Sequence, residues 1–339
     1  MVTRRTPLDP DAILRLLELG DYLLPYTIRA VCLLGVADAL ADGPKPIGEL
    51  AAETGTHEAS LAKALGYLSS REIFAETEPR VFGQTAMSDL LRTDHPYSAH
   101  KVFLSPVACT RGMEGLDHAI RTGEPAFDAV HGIPIWEYLS RHPEDGERFD
   151  GVMSGVTSME LMAILRATDW SRFGTVVDVG GGDGSLLANL VRRFKRMRGV
   201  LFDLPGVVAN SADVFATAGV GDRVEVIGGS FRSDPIPAGG DAYVLKRILY
   251  SWDPAEAAGV LRRIRAVMNP GGRVFIIEAG ASDTGSTAMA KRLDMLMFTL
   301  SAGGTRSVEQ QRALLDDAGF ELVDAVHTPV FPVLEARPR

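Results

Sequence analysis

VVDVGGGDGS, residues 176–185, decides the fold of this chain. The apolar Val176, Val177 and Val179 read as a buried strand, the glycines as the turn that ends it, and Ser185 onward as a helix. A strand that runs through such a turn into a helix N-terminus cradles a nucleotide-like ligand. Gly180, Gly182 and Gly184 carry no side chain to hold a ligand off, and they tolerate backbone angles that are costly for other residues. The spacing disfavours a dinucleotide. A G-x-G-x-x-G pattern begun at Gly180 puts its third glycine at position 185, where Ser185 stands, and the chain has Gly184 instead. The next apolar run, Val200, Leu201 and Phe202, ends at Asp203, a carboxylate able to accept hydrogen bonds from both hydroxyls of a ribose. An acid just ahead of Pro205 would also suit a helix start.

Outward from this motif, apolar strands alternate with helical stretches: 175–179, 186–194, 200–202, 207–218, 224–226, 242–245, 255–268 and 274–278, with late extended runs at 320–326 and 331–336. The rhythm predicts an α/β fold, a mostly parallel sheet covered by helices, which binds ligands beyond the carboxyl ends of its strands. Upstream, residues 11–40 carry apolar positions at helical spacing in a broad pattern, which predicts helices buried on more than one side, intersubunit packing being one way to bury them. PIGELAAETGT (46–56) and HEASLAKALGYL (57–68) read as helix, glycine turn and a second helix capped by Thr56 or a near neighbour, with short extended pieces at 74–76 and 80–82. This is a winged-helix pattern. Glu58 and Lys63 are its second helix's only formal charges, a poor surface for phosphate, so a DNA-binding regulator is a remote reading. Residues 97–165 look helical again, broken at 121–125 and 131–134. The expected organisation is a helical winged-helix domain (1–100), a helical connector that helps to form a pocket (101–168) and an α/β domain (169–339).

A formal charge of -9 and a pI near 5.3 argue against a protein whose main task is gripping nucleic acid. Cys32 and Cys109 are the only cysteines, so no disulfide scaffold or cysteine-rich metal site is expected and a reducing cytoplasm is the simplest setting. The N-terminal residues lack the apolar core of a signal peptide, and no run approaches the roughly 20 apolar residues that cross a bilayer. His118 and His131 show no metal-ligand spacing.

Taken together, GVADAL (35–40), GELA (48–51), VDVGGGDG (177–184), FDLP (202–205) and NPGGR (269–273) resemble the S-adenosylmethionine-dependent small-molecule O-methyltransferases of plant phenolic and bacterial natural-product type, over nearly the whole chain. The resemblance implies a Rossmann-like class I methyltransferase domain behind an N-terminal, mainly helical winged-helix dimerisation domain. It also implies S-adenosylmethionine as cofactor and an intertwined homodimer whose neighbouring chain adds to the pocket wall. In that frame Gly180 and Gly182 approach the methionine portion, Asp203 holds the ribose, Ser230 and Phe231 flank the adenine, and Lys246 lies near the cofactor. Ser230 stands where many relatives carry aspartate.

On the reaction side, relatives carry histidine followed by an acidic or amide residue at the positions of Tyr250 and Ser251 in LKRILYSWD (245–253), and glutamate at that of Thr305 in GGTRS (303–307). All three differ here. Tyr250 is neutral at pH 7, a hydrogen-bond donor more than a general base. Glu278 matches a family carboxylate facing the active site and is read as orienting substrate or accepting a proton. Met297 and Phe298 match an apolar wall for a flat substrate, and Trp252, Trp136, Met153 and Met159 are further wall candidates, each equally suited to core filling. His118 and His131 are considered as replacement bases and read as ordinary packing or surface residues. The expected function is methyl transfer from S-adenosylmethionine to a phenolic, enolic or polyketide-like molecule in secondary metabolism such as antibiotic biosynthesis, preferably to oxygen, with carbon or nitrogen as close variants. The missing histidine keeps open a repurposed relative that hydroxylates, decarboxylates or closes a ring. Substrate, modified atom and pathway are not written in the sequence.

Overall fold

The structure, a computed structural model, describes residues 9–278, 280, 288–328 and 331–339, without the side chains of 158, 159 and 288–290. Met159, a wall candidate, therefore has its side chain outside the described set. Two compact units divide at residue 104: Met1–Leu104 and Ser105–Arg339. The helical stretch expected at 101–168 thus belongs, from Ser105 on, to the same unit as the sheet.

The first unit opens with the Pro10–Leu19 helix, started by Asp9, whose carboxylate accepts from the N–H groups of Asp11 and Ala12, and by a proline in its first turn. None of its residues is buried; Leu14, Leu16, Leu17 and Leu19 face outward. The core lies further on. The Leu23–Leu33 helix adds Ile28, Val31 and Cys32, and the Glu58–Ser69 helix adds Leu61, Leu65 and Leu68 at the spacing of one helix face. A small antiparallel sheet of β1 (Lys45–Pro46), β2 (Phe74–Glu78) and β3 (Val81–Gln84), in the order β1-β3-β2, completes the winged-helix pattern. The residue capping the second helix is His57, whose ring bonds Ser60, while Thr56 pairs instead with Thr54.

The second unit is built on a seven-stranded sheet. Its strands are β4 (Thr175–Val179), β5 (Arg198–Asp203), β6 (Val224–Gly228), β7 (Ala242–Lys246), β8 (Arg273–Ile277), β9 (Phe320–Val326) and β10 (Val333–Pro338), in the order β6-β5-β4-β7-β8-β10-β9. The first five neighbours run parallel; β10 is antiparallel to both β8 and β9. Helices cover both faces, which is why the central strands are continuous apolar runs. Alternate side chains then fill two cores: Val177, Val179, Leu245 and Ile276 on one face, Val176, Val244, Phe275 and Ile277 on the other. The helix expected over 207–218 is broken into Pro205–Val208 and Ser211–Ala218. Because β5 and β7 flank β4 on opposite sides, the chain reverses its winding at the carboxyl end of β4, where the glycine turn lies.

Candidate active site

The turn after β4 is tied to β5 by the Gly180 N–H, which donates to the Phe202 carbonyl at 2.7 Å. Gly180, Gly182 and Gly184 all have left-handed backbones, with φ of 70°, 64° and 81°. Only one of the three faces open space. A Cβ on Gly184 would lie 2.4 Å from the Phe215 ring and one on Gly180 2.3 Å from Ile248, whereas one on Gly182 would meet nothing within 4 Å. Gly182 is therefore the one of the three beside which the structure leaves room; at the other two, side chains pack against the turn.

Asp203 ends β5 and reaches across to this turn. Its carboxylate accepts from the Gly182 N–H at 2.8 Å and the Leu204 N–H at 2.7 Å, one on each oxygen. Each oxygen retains a lone pair, so the group can still take two ligand hydroxyls. The helix-start reading fails: the Pro205–Val208 helix begins after Leu204, with Asp203 turned to the glycine turn.

Carboxylates crowd the same place. Asp178 is buried, and neither of its oxygens has a hydrogen-bond partner among the described residues. Burial raises its pKa against the pull of Lys246, with Asp203 and Asp183 adding to the rise. Burial likewise raises Asp203, opposed by the two N–H donors. Asp150 is pushed up to about 7, by burial first and then by Asp203, Asp183 and Glu147. Such a site disfavours a diphosphate and favours a ligand that brings positive charge, which would relieve the mutual repulsion. An adenosyl sulfonium with a free ammonium group fits: hydroxyls for Asp203, room above Gly182 and cationic charge for the acids.

Lys246, at the end of β7, is buried, and its Nζ donates to Thr157 Oγ1 at 2.6 Å; burial, then the Arg247 cation, lower its pKa. Arg247 adopts a left-handed backbone, φ 60°, rare for a non-glycine residue. Its guanidinium is held by the Met153 carbonyl and Thr157 Oγ1, both at 2.8 Å, and by Glu160. The Pro143–Ala167 helix thus supplies a polar face to the strand ends, continued by Ser154, which donates to Asp183. Sequence reasoning read this helix for its aromatic and Met residues and missed that face. Asp150, Ser154 and Thr157, spaced i, i+4 and i+7, were the available signal.

Phe231 lies 3.4 Å from where a Gly180 Cβ would sit, beside the glycine turn, and Ser230 keeps its hydroxyl near the backbone, accepting from Arg232 N–H at 3.2 Å. From Phe231 a row of rings leads away from the turn: Trp252 at 6.2 Å, Trp136 at 6.4 Å from Trp252, and Phe149 at 5.6 Å from Trp136. Tyr250 and the buried Met297 join Trp136 and Phe149 in one apolar cluster. Phe298 is half-buried on the same helix, and Met153 is half-buried on the helix that carries Asp150.

Tyr250 sits in the short turn Leu249–Ser251, and burial pushes its pKa up, which favours the neutral phenol. Glu278 is not solvated. It is 1% exposed and accepts from the Tyr250 N–H at 3.1 Å and from Gln311 Nε2 at 2.6 Å. Thr305 is turned to Asp294, to which its N–H and hydroxyl donate at 2.7 and 2.8 Å. His118 pairs with Glu124, and His131 bonds the Ala108 carbonyl between the rings of Phe127 and Tyr138; both are packing or surface residues. Asp253 caps the Pro254–Val267 helix through two backbone N–H groups. No cluster of His, Cys, Asp and Glu among the described residues is arranged to hold a metal, and no described helix is long and apolar enough to cross a membrane.

Residues 113–321 match the O-methyltransferase domain family and residues 16–94 the O-methyltransferase dimerisation domain. A phenazine O-methyltransferase from Lysobacter antibioticus is 34% identical over 97% of both chains. The neocarzinostatin enzyme NcsB1, solved with S-adenosylmethionine and 2-hydroxy-5-methyl naphthoic acid, superposes with a TM-score of 0.79 at 32% identity, covering 95% of this chain and 98% of that one. The aclacinomycin 10-hydroxylase RdmB of Streptomyces purpurascens is also similar, 30% identical over 93% of this chain and 86% of its own. With the glycine turn, the Asp203 carboxylate bonded to it and these matches over most of its length, the chain belongs to the S-adenosylmethionine-dependent O-methyltransferase family.

Proposed function

We propose that this protein methylates a hydroxyl of a flat aromatic or polyketide-like small molecule in natural-product biosynthesis, using S-adenosylmethionine. The observation that carries this reading is Asp203, bonded to the glycine turn through Gly182 and keeping an acceptor site on each oxygen. When bound, the cofactor supplies a methyl group already activated by its sulfonium. Asp203 takes the ribose hydroxyls, Gly182 leaves room for the chain that bears the sulfur, and Asp150, Asp178 and Asp183 favour the positive charge. Trp136, Tyr250, Trp252 and Met297 offer flat and apolar surface to an aromatic ring. Much of the rate then comes from alignment of acceptor and methyl carbon, because neither Tyr250 nor Ser251 is a base at neutral pH. Acidic phenols and enols, which lose their proton readily to solvent, are the fitting acceptors. The exposed leucines of the first helix and the dimerisation-domain match support a homodimer.

Products formed from hydroxylated naphthoates, phenazines and anthraquinones with the cofactor present, located by NMR, test the assignment. A new methoxy carbon is expected. Methyl on carbon or nitrogen would shift the acceptor class. A hydroxylated product with no methyl gained would favour the second reading, which rests on Tyr250 and Ser251 in the reaction turn and on the similar hydroxylase.

A further inference from the structure

The turn Leu249–Ser251 leaves β7 with backbone donors and acceptors that its own short 3-10 geometry does not satisfy, in a place where water is scarce. Side chains from a different stretch meet them. Glu278 accepts from the Tyr250 N–H at 3.1 Å. Arg306, 8% exposed, donates to the Leu249 carbonyl at 2.8 Å and to the Trp252 carbonyl at 2.6 Å. Gln311, 1% exposed, donates to the other oxygen of Glu278 at 2.6 Å. Gly303 lies against the turn itself: a Cβ there would fall 1.9 Å from the Tyr250 carbonyl oxygen. A nine-residue stretch, GGTRSVEQQ (303–311), therefore clasps the turn from outside, and its end is fixed by the Ser307 capping box of the Val308–Asp317 helix.

We infer that Glu278, Arg306, Gln311 and Gly303 form a positioning frame for the turn that carries Tyr250 and Trp252, and that Glu278 acts through this frame and not as the proton acceptor. The inference rests on the methyl-transfer reading for its consequence, since the frame would fix the acceptor against the cofactor. Arg306 is the keystone. Its planar fork spans two carbonyls at once, which the single ammonium of lysine does not reproduce. Burial lifts Glu278 to about 7, opposed by Arg306, a value that by itself would suit a general base. Geometry points the other way: the carboxylate is 1% exposed, so an acceptor molecule has little access to it, and its donors, the Tyr250 N–H and Gln311 Nε2, belong to the turn and to the stretch that clasps it.

Glutamine at 278 and alanine at 278 separate the two roles. In Glu278→Gln the side-chain carbonyl can still accept from the Tyr250 N–H. Gln311 can rotate its amide to offer Oε1, which is buried and unpartnered among the described residues. Glu278→Ala leaves the Tyr250 N–H without its acceptor. Each variant, with Arg306→Met and Arg306→Lys, is followed by steady-state kinetics, cofactor calorimetry and hydrogen exchange of a peptide covering 245–255. The frame predicts that Glu278→Ala and Arg306→Met lower kcat about a hundredfold, cofactor Kd changing less than about threefold, while Glu278→Gln costs less than about tenfold. Arg306→Lys falls between. Exchange at 249–252 should rise in Glu278→Ala and Arg306→Met and stay close to wild type in Glu278→Gln, with the pH profile of kcat in Glu278→Gln keeping its shape. Equal losses in Glu278→Gln and Glu278→Ala, with a titrating limb removed from the profile, would assign proton transfer to Glu278 and overturn the inference. So would unchanged exchange in Arg306→Met. Should Glu278→Ala not fold, the two Arg306 variants carry the same comparison. Exchange needs no turnover, so a wild-type protein that moves no methyl group would defeat the functional assignment and leave the frame to be judged on that measurement.

Discussion

The glycine turn after β4 and the short turn after β7 stand on neighbouring strands, yet they use their polar groups in opposite ways. Around the first, acceptor capacity is left over: Asp203 holds two N–H groups and can take two more donors, and Asp178 holds none among the described residues. Around the second, the groups are shut away from any ligand: Glu278, with the same one donor per oxygen, is 1% exposed, and the guanidinium of Arg306, 8% exposed, is bonded to two backbone carbonyls. Open capacity is what a binding site requires. Buried groups bonded to the turn suit a site built on alignment, which would let methyl transfer dispense with a histidine at the position of Tyr250.

The largest effect should come from removing the open side's main acceptor. Asp203→Ala should weaken cofactor binding about a hundredfold by calorimetry and Asp203→Asn about tenfold, because charge-assisted hydrogen bonds to ribose are lost along with the Gly182 contact. A Kd within twofold of wild type would mean that the capacity seen on Asp203 is not used.

The glycines sharpen the comparison within the turn. Gly182→Ala adds a methyl to open space but at a left-handed φ that costs about 1 kcal/mol, so it should cost roughly tenfold in cofactor affinity and lower Tm by only about 2 °C. Gly184→Ala drives a methyl into Phe215 and should instead lower Tm by about 5 °C, seen by differential scanning calorimetry. If the two variants behave alike, the assignment of Gly182 to the ligand and Gly184 to packing is wrong.

The smallest effect concerns Asp150, pushed from 3.8 to about 7 beside Asp203 and Asp183. A folded-state pKa above the unfolded one means that the folded protein holds a proton the unfolded chain releases. That contribution is full below about pH 4 and lost as pH rises toward 7, where the buried charge must be borne. Asp150→Asn should therefore raise Tm by about 3 °C at about pH 8 and leave it unchanged near pH 4. A gain that is equal at both pH values would point to packing in place of charge.

Much of this was legible in the chain itself. Val176, Val177 and Val179 before three glycines, and Asp203 at the end of the next apolar run, are local patterns, and continuous apolar runs mark strands covered on both faces. The strand order, with its winding reversal at β4, is not written in those runs. What stayed hidden is contact between distant segments. Nothing near Glu278 in sequence announces that Arg306 and Gln311 will close on the turn at 249–252, and the polar stripe Asp150, Ser154, Thr157 is diluted by the Met and aromatic residues around it. Glu278 was read as a candidate base because strand-end position and residue type are visible in one dimension, while the donors that occupy it are not. Likewise Gly180, Gly182 and Gly184 look equivalent until Ile248 and Phe215 are seen against two of them.

A ternary crystal structure with S-adenosylhomocysteine and a hydroxylated aromatic acceptor tests most directly whether the two turns serve one methyl transfer. The account predicts the ribose on Asp203, the aromatic ring against Trp136 and Tyr250, and one acceptor oxygen facing the sulfur in line, with space for a single methyl group between them and a methyl-to-oxygen approach of roughly 3–3.5 Å. An acceptor whose oxygens all lie off that line, or a ring seated away from the turn at 249–252, would contradict it.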